Sequence, residues 1–447
     1  MNTLNFNFDN IIGKIKPMNG VDIGPLRREI NQGKLYYLKE ANIPYCRLHD
    51  VGGYMGGNIY VDIPNIFRDF SADVDDPASY DFAATDILLS NLKENGCEPY
   101  YRLGVSIEHT HPIKHYRIDP PTDNDKWARI CEHIIRHYNE GWADGFYHNI
   151  KYWEIWCEVD ANHTGYTNGL WGGTSEEYFE LYRVTAKHLR DCFGDSIKIG
   201  CSSSSGFYAV IDDKLTGAIA MGSEEGLELW EIRTIGFLDF LEQFLTVVKE
   251  ENLPLDFFPH HSYASVEDTL RMQKYAEEYL EKKGFGHVEI HLNEWNPNAR
   301  KEEKGKSVAS ANLAAMMCAM QDTKLQVLCY YDARIGLSDY SGLFHVLEET
   351  PYCTFYSLKA FGNLYLMGNQ AEVTGADDGL YVTAAVGDGV KGALLANIGK
   401  SREIQTNLPE HTEVYLIDET HHMEKVDVDP TCFICMKNET YYFEVKD

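Results

Sequence analysis

Short apolar runs alternate along the chain with longer segments in which apolar residues recur every three or four positions. The short runs read as strands: MNGVDIGPL (18–26), IPYCRLHDV (43–51), EPYYRLGVS (98–106), YWEIWCEVD (152–160), SIKIGCSSS (196–204), LDFFPHHSY (255–263), HVEIHLNEW (287–295) and QVLCYYDAR (326–334). Between them, segments such as DKWARICEHIIRHYNEG and SVEDTLRMQKYAEEYLEKKG carry the helical period and end at glycine. Thr174, followed three residues later by Glu177, predicts a capping box at the head of SEEYFELYRVTAKHLR. Eight strand–helix repeats predict an α/β protein, a closed (β/α)8 TIM barrel over residues 16–367 with its helices outside. A doubly wound sheet is the competing architecture. However, no GxGxxG opens a helix after an early strand, and no Walker motif is present.

After residue 368 the texture changes. AEVTGADDGLYVTAAVGDGVKGALLANIGK, TEVYLID and TYYFEV read as strands separated by Gly/Asp turns, which predicts a small all-β, β-sandwich-like accessory domain over 368–447. The alternation in LNFNFDN predicts that residues 1–15 add a strand to it.

Composition narrows the function. Hydrophobic residues make up 44% of the 447 positions, enough for a packed core and inconsistent with extended disorder. Asp and Glu outnumber Lys and Arg by 69 to 40, and the resulting charge of −29 repels nucleic acid and anionic membranes. A neutral sugar is compatible with that field, as is a homo-oligomer. No basic segment followed by an apolar stretch opens the sequence, and no run is long enough to span a bilayer, so the expected location is cytoplasmic. The 11 cysteines form an odd, scattered set, without a disulfide framework. No cofactor or metal motif stands out.

Catalytic groups of such a barrel sit at the carboxyl ends of its strands. The fourth strand ends at Glu158 and the seventh at Glu294. Period two places Tyr152, Glu154, Trp156 and Glu158 on one face, with Glu154 deeper and Glu158 at the mouth. Two carboxylates facing each other, one protonated and one ionised, are what retaining glycoside hydrolysis requires. The neighbouring Trp156 and Trp295 offer apolar walls or sugar-stacking faces.

These motifs resemble glycoside hydrolase family 39, within a clan of retaining (β/α)8 glycosidases. YWEIWCEVD is similar to the strand-four run with the family's acid/base, and HLNEWNP to the strand-seven run with its nucleophile. Arg47 and His49 match an Arg-x-His at strand two, and His261 and Tyr263 a His-x-Tyr at strand six. The resemblance implies Glu158 as general acid/base and Glu294 as nucleophile. It also implies that Arg47 keeps Glu294 ionised, that His49 and His261 contact sugar hydroxyls, and that Tyr263 supports the nucleophile. Arg47 has an alternative role as an interior ion pair with Glu154, and each histidine as a structural residue. The implied substrate is an oligosaccharide or small glycoside ending in a β-linked, xylose-like sugar, with no cofactor. Cys157 departs from the family pattern, which has Asn there to contact the 2-hydroxyl; a thiol is a weak donor and a poor acceptor. Asn293 and Asn296 are the candidates to compensate.

Other signals are weaker. His109, His111 and His115 in EHTHPIKHY suggest a metal loop but fit a pocket-lining loop better. Tyr166 and Trp171 after strand four, and Tyr331, Asp332 and Arg334 at strand eight, are candidates for the walls of the mouth. A retaining glycosidase of the same fold acting on another sugar (an arabinoside, glucoside, galactoside or uronide), a sugar-binding barrel without turnover and a metal-dependent hydrolase are the rival functions.

Overall fold

The computed structural model describes residues 2–26, 34–49, 61–106, 118–162, 169–296, 301–336, 340–377 and 379–446. All eight expected barrel strands are present. After an initial strand, β1 (Asn2–Lys14), they are β2 (Gly20–Asp22), β3 (Tyr45–Leu48), β4 (Glu98–Leu103), β5 (Tyr152–Ile155), β6 (Lys198–Gly200), β7 (Phe257–Ser262), β8 (Glu289–Trp295) and β9 (Leu325–Tyr330). They pair in parallel, in sequence order, and β9 closes on β2.

The outer layer includes Ala83–Glu94, Asn124–Asn139, Ser175–Phe193, Leu229–Glu250, Val266–Lys283, Ser307–Gln321 and Cys353–Met367. The expected capping box is formed, with Glu177 N donating to Thr174 Oγ1 and Thr174 N to Glu177 Oε2. None of the described helices is long and apolar enough to cross a membrane.

Side chains fill the barrel in layers. Tyr45, Tyr100, Tyr152, Phe257, Val327 and Cys329 form an aromatic floor. Gly200 makes room for it, because a Cβ there would lie 2.1 Å from the Phe257 ring. Above the floor the filling becomes polar and charged.

The remaining strands are β10 (Asn369–Thr374), β11 (Leu380–Gly387), β12 (Val390–Asn397), β13 (Arg402–Thr406), β14 (Glu413–Ile417), β15 (His422–Lys425), β16 (Cys432–Cys435) and β17 (Glu439–Lys446). With β1 they form a mixed nine-stranded sheet in the order β15-β14-β17-β12-β11-β10-β1-β13-β16. β1 runs antiparallel to β10 and parallel to β13. Leu4, Phe6, Leu395, Ile404, Phe433 and Phe443 share the core of this unit. Leu394, Ala396 and Tyr442 belong instead to the barrel's core cluster, so this part of the sheet docks on the barrel. At the junction Lys16 Nζ donates to the carbonyls of Met320, Thr323 and Leu325, where helix Ser307–Gln321 gives way to β9.

Candidate active site

Arg47, in the middle of β3, organises the polar layer. Its guanidinium is fully buried and donates to Glu154 Oε2 (2.7 Å) and Oε1 (3.0 Å), Asp22 Oδ2 (2.7 Å) and Glu294 Oε1 (2.8 Å). Both readings of Arg47, interior ion pair and partner of Glu294, are therefore realised at once. Burial opposes its charge, but Glu154 and Asp22 outweigh burial and keep it protonated. Glu154 is the interior acid expected from its depth, further held by Asn293 Nδ2 (3.1 Å) and the Ser203 hydroxyl.

Both mouth glutamates arrive by breaking the period-two rule. β5 ends at Ile155, and Trp156 (φ 72°) and Glu158 (φ 46°) adopt left-handed backbone. Trp156 therefore does not share a face with Glu154. It turns to the helix layer, where its Nε1 donates to Leu170 O (2.7 Å) and its ring packs edge-on against Trp171. Cys157 and Glu158 turn inward instead. Along β8, His291 stacks on Phe257 in the floor, whereas Asn293 and Glu294 both reach into the polar layer. His260 and His261 of β7 stand opposite Leu292 and Glu294, which leaves Asn293 as the extra residue of a bulge that re-aims the end of the strand.

The turn carrying Glu158 is held by the serine run after β6. Glu158 N donates to Ser203 O (3.0 Å), and Val159 N to Ser202 Oγ (3.1 Å). Buried Asp160 accepts from Ser204 Oγ, Ser205 N and Ser205 Oγ. Burial pushes the Asp160 carboxyl up to about 6; Ser205 opposes the shift and the charge of Glu158 adds to it. Left-handed backbone at a non-glycine residue costs about 1–2 kcal/mol, which these bonds offset.

At the mouth, a carboxylate oxygen of Glu158 and one of Glu294 lie within 4.8 Å of each other and of a nitrogen of His261. His261 Nδ1 is 2.7 Å from Glu158 Oε1 and 3.3 Å from Glu294 Oε2. Tyr263 OH donates to Glu294 Oε2 at 2.7 Å, so each Glu294 oxygen has its own donor. His261 thus bridges the acids through Nδ1.

The titrations of these three groups depend on one another. Burial works against the His261 imidazolium, but Glu294 and Glu158 outweigh it and hold its pKa up. Burial would raise Glu158, yet the His261 hydrogen bond and charge leave it below the usual carboxylate range. Glu294 is raised by burial and by Glu158, against the pull of His261 and Arg47.

His49 receives Arg102 Nε at Nδ1 (3.2 Å), which assigns its proton to Nε2. That Nε2 faces Glu294 Oε1 (3.7 Å) and Cys157 Sγ (3.8 Å). Burial, with Arg47 and Arg102 nearby, keeps His49 neutral. Burial likewise keeps Cys157 a thiol, 3.3 Å from Arg47 Nη2. Of the two candidate replacements for its contact, Asn293 donates Nδ2 to Glu154, and Asn296 Nδ2 donates to Tyr331 O (2.8 Å) and Tyr340 O (2.6 Å).

Not every wall residue is where the sequence predicts. Trp295 is fully buried and packs edge-on against Tyr330, so it offers no stacking face. Trp171 is equally buried, in the helix layer. Tyr331 lies beside Tyr263 (6.3 Å between rings) and Tyr340. Arg334 folds back onto Asp332. His109, His111, His115 and Tyr166 lie outside the described residues. Sequence reasoning missed Asp22, the Ser202–Ser205 brackets and the Asp62–Arg102–His49 chain, in which Arg102 Nη2 donates to Asp62 Oδ1 at 2.6 Å. Of these, Arg102 carried a readable signal, a charge inside a strand at a position that a barrel buries.

The sequence profile of glycosyl hydrolases family 39 matches residues 26–298. A β-xylosidase of Geobacillus stearothermophilus is 21% identical over 268 residues, 54% of this chain and 46% of that protein. A β-xylosidase of Caldicellulosiruptor saccharolyticus is 28% identical over 116 residues, 24% of this chain and 22% of that protein. The chain thus matches less than half the length of either relative. Among solved structures, a glucosidase from Croceicoccus marinus superimposes with TM-score 0.77 at 18% identity, covering 100% of this chain and 99% of that one. A monomeric β-xylosidase from Caulobacter crescentus gives TM-score 0.68 at 13% identity, covering 100% and 99%. At such identities the likeness carries the fold alone.

Proposed function

Because the chain belongs to glycosyl hydrolases family 39, matched over residues 26–298, we propose that it is a retaining exo-glycosidase releasing a terminal β-linked, xylose-like sugar, with Glu158 as acid/base and Glu294 as nucleophile. The observation that carries this reading is that one oxygen of each carboxylate lies within 4.8 Å of the other, with His261 Nδ1 2.7 Å from Glu158 Oε1 and 3.3 Å from Glu294 Oε2. Retaining enzymes hold their carboxyl groups about 5–5.5 Å apart, whereas inverting ones need about 6.5–9.5 Å to admit a water between them. The sugar assignment rests on the two β-xylosidase relatives.

In the first step a Glu294 oxygen attacks the anomeric carbon while Glu158 gives its proton to the departing oxygen. In the second, Glu158 takes a proton from water, whose oxygen attacks from the face the leaving group vacated, opposite Glu294, and displaces it. Arg47 and Tyr263 hold the two Glu294 oxygens and so fix the angle of attack. Before a sugar binds, His261 holds the proton that Glu158 needs. A bound sugar excludes water and favours neutral groups, which moves that proton from Nδ1 to Glu158 Oε1 across the 2.7 Å bond. Beside Cys157, the Nε2–H of His49 is a polar donor facing the mouth. Eleven unpaired cysteines support a reducing, cytoplasmic setting.

The test is a panel of aryl glycosides differing in sugar, with the anomeric configuration of the first product followed by NMR. β-Xylosides are expected to lead, with retention. Glu294→Ala removes turnover, and azide restores part of it as a glycosyl azide of inverted configuration. Glu158→Ala spares good leaving groups and penalises poor ones by about 10²–10⁴-fold. An inverted first product, or wild-type rates in both variants, overturns the reading.

A further inference from the structure

Three clusters of metal-ligating side chains occur among the described residues. Two of them share Glu294 and belong to the mouth. The third lies outside the barrel and joins neighbouring helices: Glu132 on Asn124–Asn139, and His188 with Cys192 on Ser175–Phe193. Four residues apart, His188 and Cys192 lie on one helix face, one turn from each other.

The three donor types, carboxylate, imidazole and thiol, are those zinc selects. One donor atom of each lies within 4.8 Å of the other two. His188 Nε2 is 3.7 Å from Cys192 Sγ, near the ~3.5 Å separation of a sulfur and a nitrogen on one tetrahedral zinc. It is 2.6 Å from Glu132 Oε2, and an ion between them needs that gap to open by about 0.7 Å, within the reach of a glutamate side chain. Arg136 Nε holds the other oxygen, Glu132 Oε1, at 2.7 Å, which leaves Oε2 aimed into the cluster. Metal-bound carboxylates are commonly held in this way by an outer partner. The other arm of Arg136 reaches Glu140, so its charge is answered from two sides. Side-chain exposure of 30% at His188 and 14% at Glu132 leaves a route for an ion and its water.

We propose that Glu132, His188 and Cys192 bind a zinc-class divalent cation that clamps these two outer helices together, with water as fourth ligand. Binding breaks the Cys192 S–H bond, forms the metal–sulfur bond and releases the proton to solvent; no electron is transferred. The clamp acts on the scaffold, away from the carboxylate pair.

The test uses the reduced, chelator-treated full chain titrated with Co²⁺, read by the thiolate-to-cobalt absorption in the near ultraviolet, with Zn²⁺ as competitor. The expected result is a band that Zn²⁺ abolishes, that Cys192→Ser lacks and that Cys157→Ser keeps. His188→Ala is expected to weaken the apparent affinity at least tenfold. Zn²⁺ should raise the melting temperature of the wild type and leave Cys192→Ser unchanged, with circular dichroism establishing that each variant is folded. No band, a band that survives Cys192→Ser, or one lost in Cys157→Ser overturns the proposal.

Discussion

The floor and the mouth of the barrel are made by the same strands and obey different rules. β3 contributes Tyr45 below and Arg47 above, β5 Tyr152 below and Glu154 above, and β7 Phe257 below and His261 above. At the floor, alternation holds and rings pack against rings, with Tyr100 and Tyr152 stacked at 5.4 Å. At the mouth, left-handed residues and a bulge interrupt alternation so that adjacent residues, Cys157 with Glu158 and Asn293 with Glu294, both face inward. Regular pairing builds the container; local departures from it bring the acids together.

Breaking the central cation is expected to have the largest effect. Arg47→Ala leaves Asp22, Glu154 and Glu294 facing one another without their common partner, which should cost about 3–5 kcal/mol of stability. It should also lower kcat/KM by about 10³-fold, because Glu294 loses the donor on one oxygen. Phe257→Ala at the floor is expected to cost a comparable ~3–5 kcal/mol while leaving kcat of the folded fraction within about threefold. Urea denaturation alongside active-site-titrated kinetics separates the two; a floor variant that loses kcat would break the comparison.

His261→Asn is expected to have an intermediate effect. The variant retains a hydrogen-bond donor but cannot store the shared proton, so the cluster loses that proton at lower pH. The alkaline limb of the kcat/KM profile should move acidward, with about a tenfold loss at neutral pH. An unmoved limb removes His261 from proton storage.

Asp160→Asn should act mainly on stability. The folded pKa of Asp160, about 6, lies above its ordinary 3.8, so the folded protein keeps this proton after the unfolded chain has lost it. Its contribution is therefore complete below about pH 4 and is lost as pH rises through 6, a change of about 3 kcal/mol. Stabilities of wild type and Asp160→Asn, compared by urea denaturation from pH 4 to 7, should diverge by most of that amount, about 2.4 kcal/mol.

Legibility in the sequence follows the same division. The eight strands, the capping box at Thr174 and the interior position of Glu154 are readable, because each depends on local period or on burial within regular structure. Placing Trp156 beside Glu154 fails because period two assumes extended backbone, and φ 72° at Trp156 is set by Trp171 and Leu170 from beyond the strand. Trp295 reads as a wall because it follows Glu294, yet the bulge at Asn293 sends consecutive residues to different surroundings. The run CSSSSG has no periodicity of its own, and its hydroxyls become informative only once Asp160 and Glu154 lie against them.

β1 has a consequence for how the protein is made. Asn7 of this strand pairs with Glu372 of β10, 365 residues later, and the whole barrel lies between them. At about 5–20 residues per second of synthesis, β1 waits roughly 20–70 s for that partner to emerge from the ribosome. Throughout that interval it is an unpaired edge, open to pairing with a neighbouring nascent chain. The barrel closes only when β9 emerges to meet β2, and β10 follows soon after to cover β1.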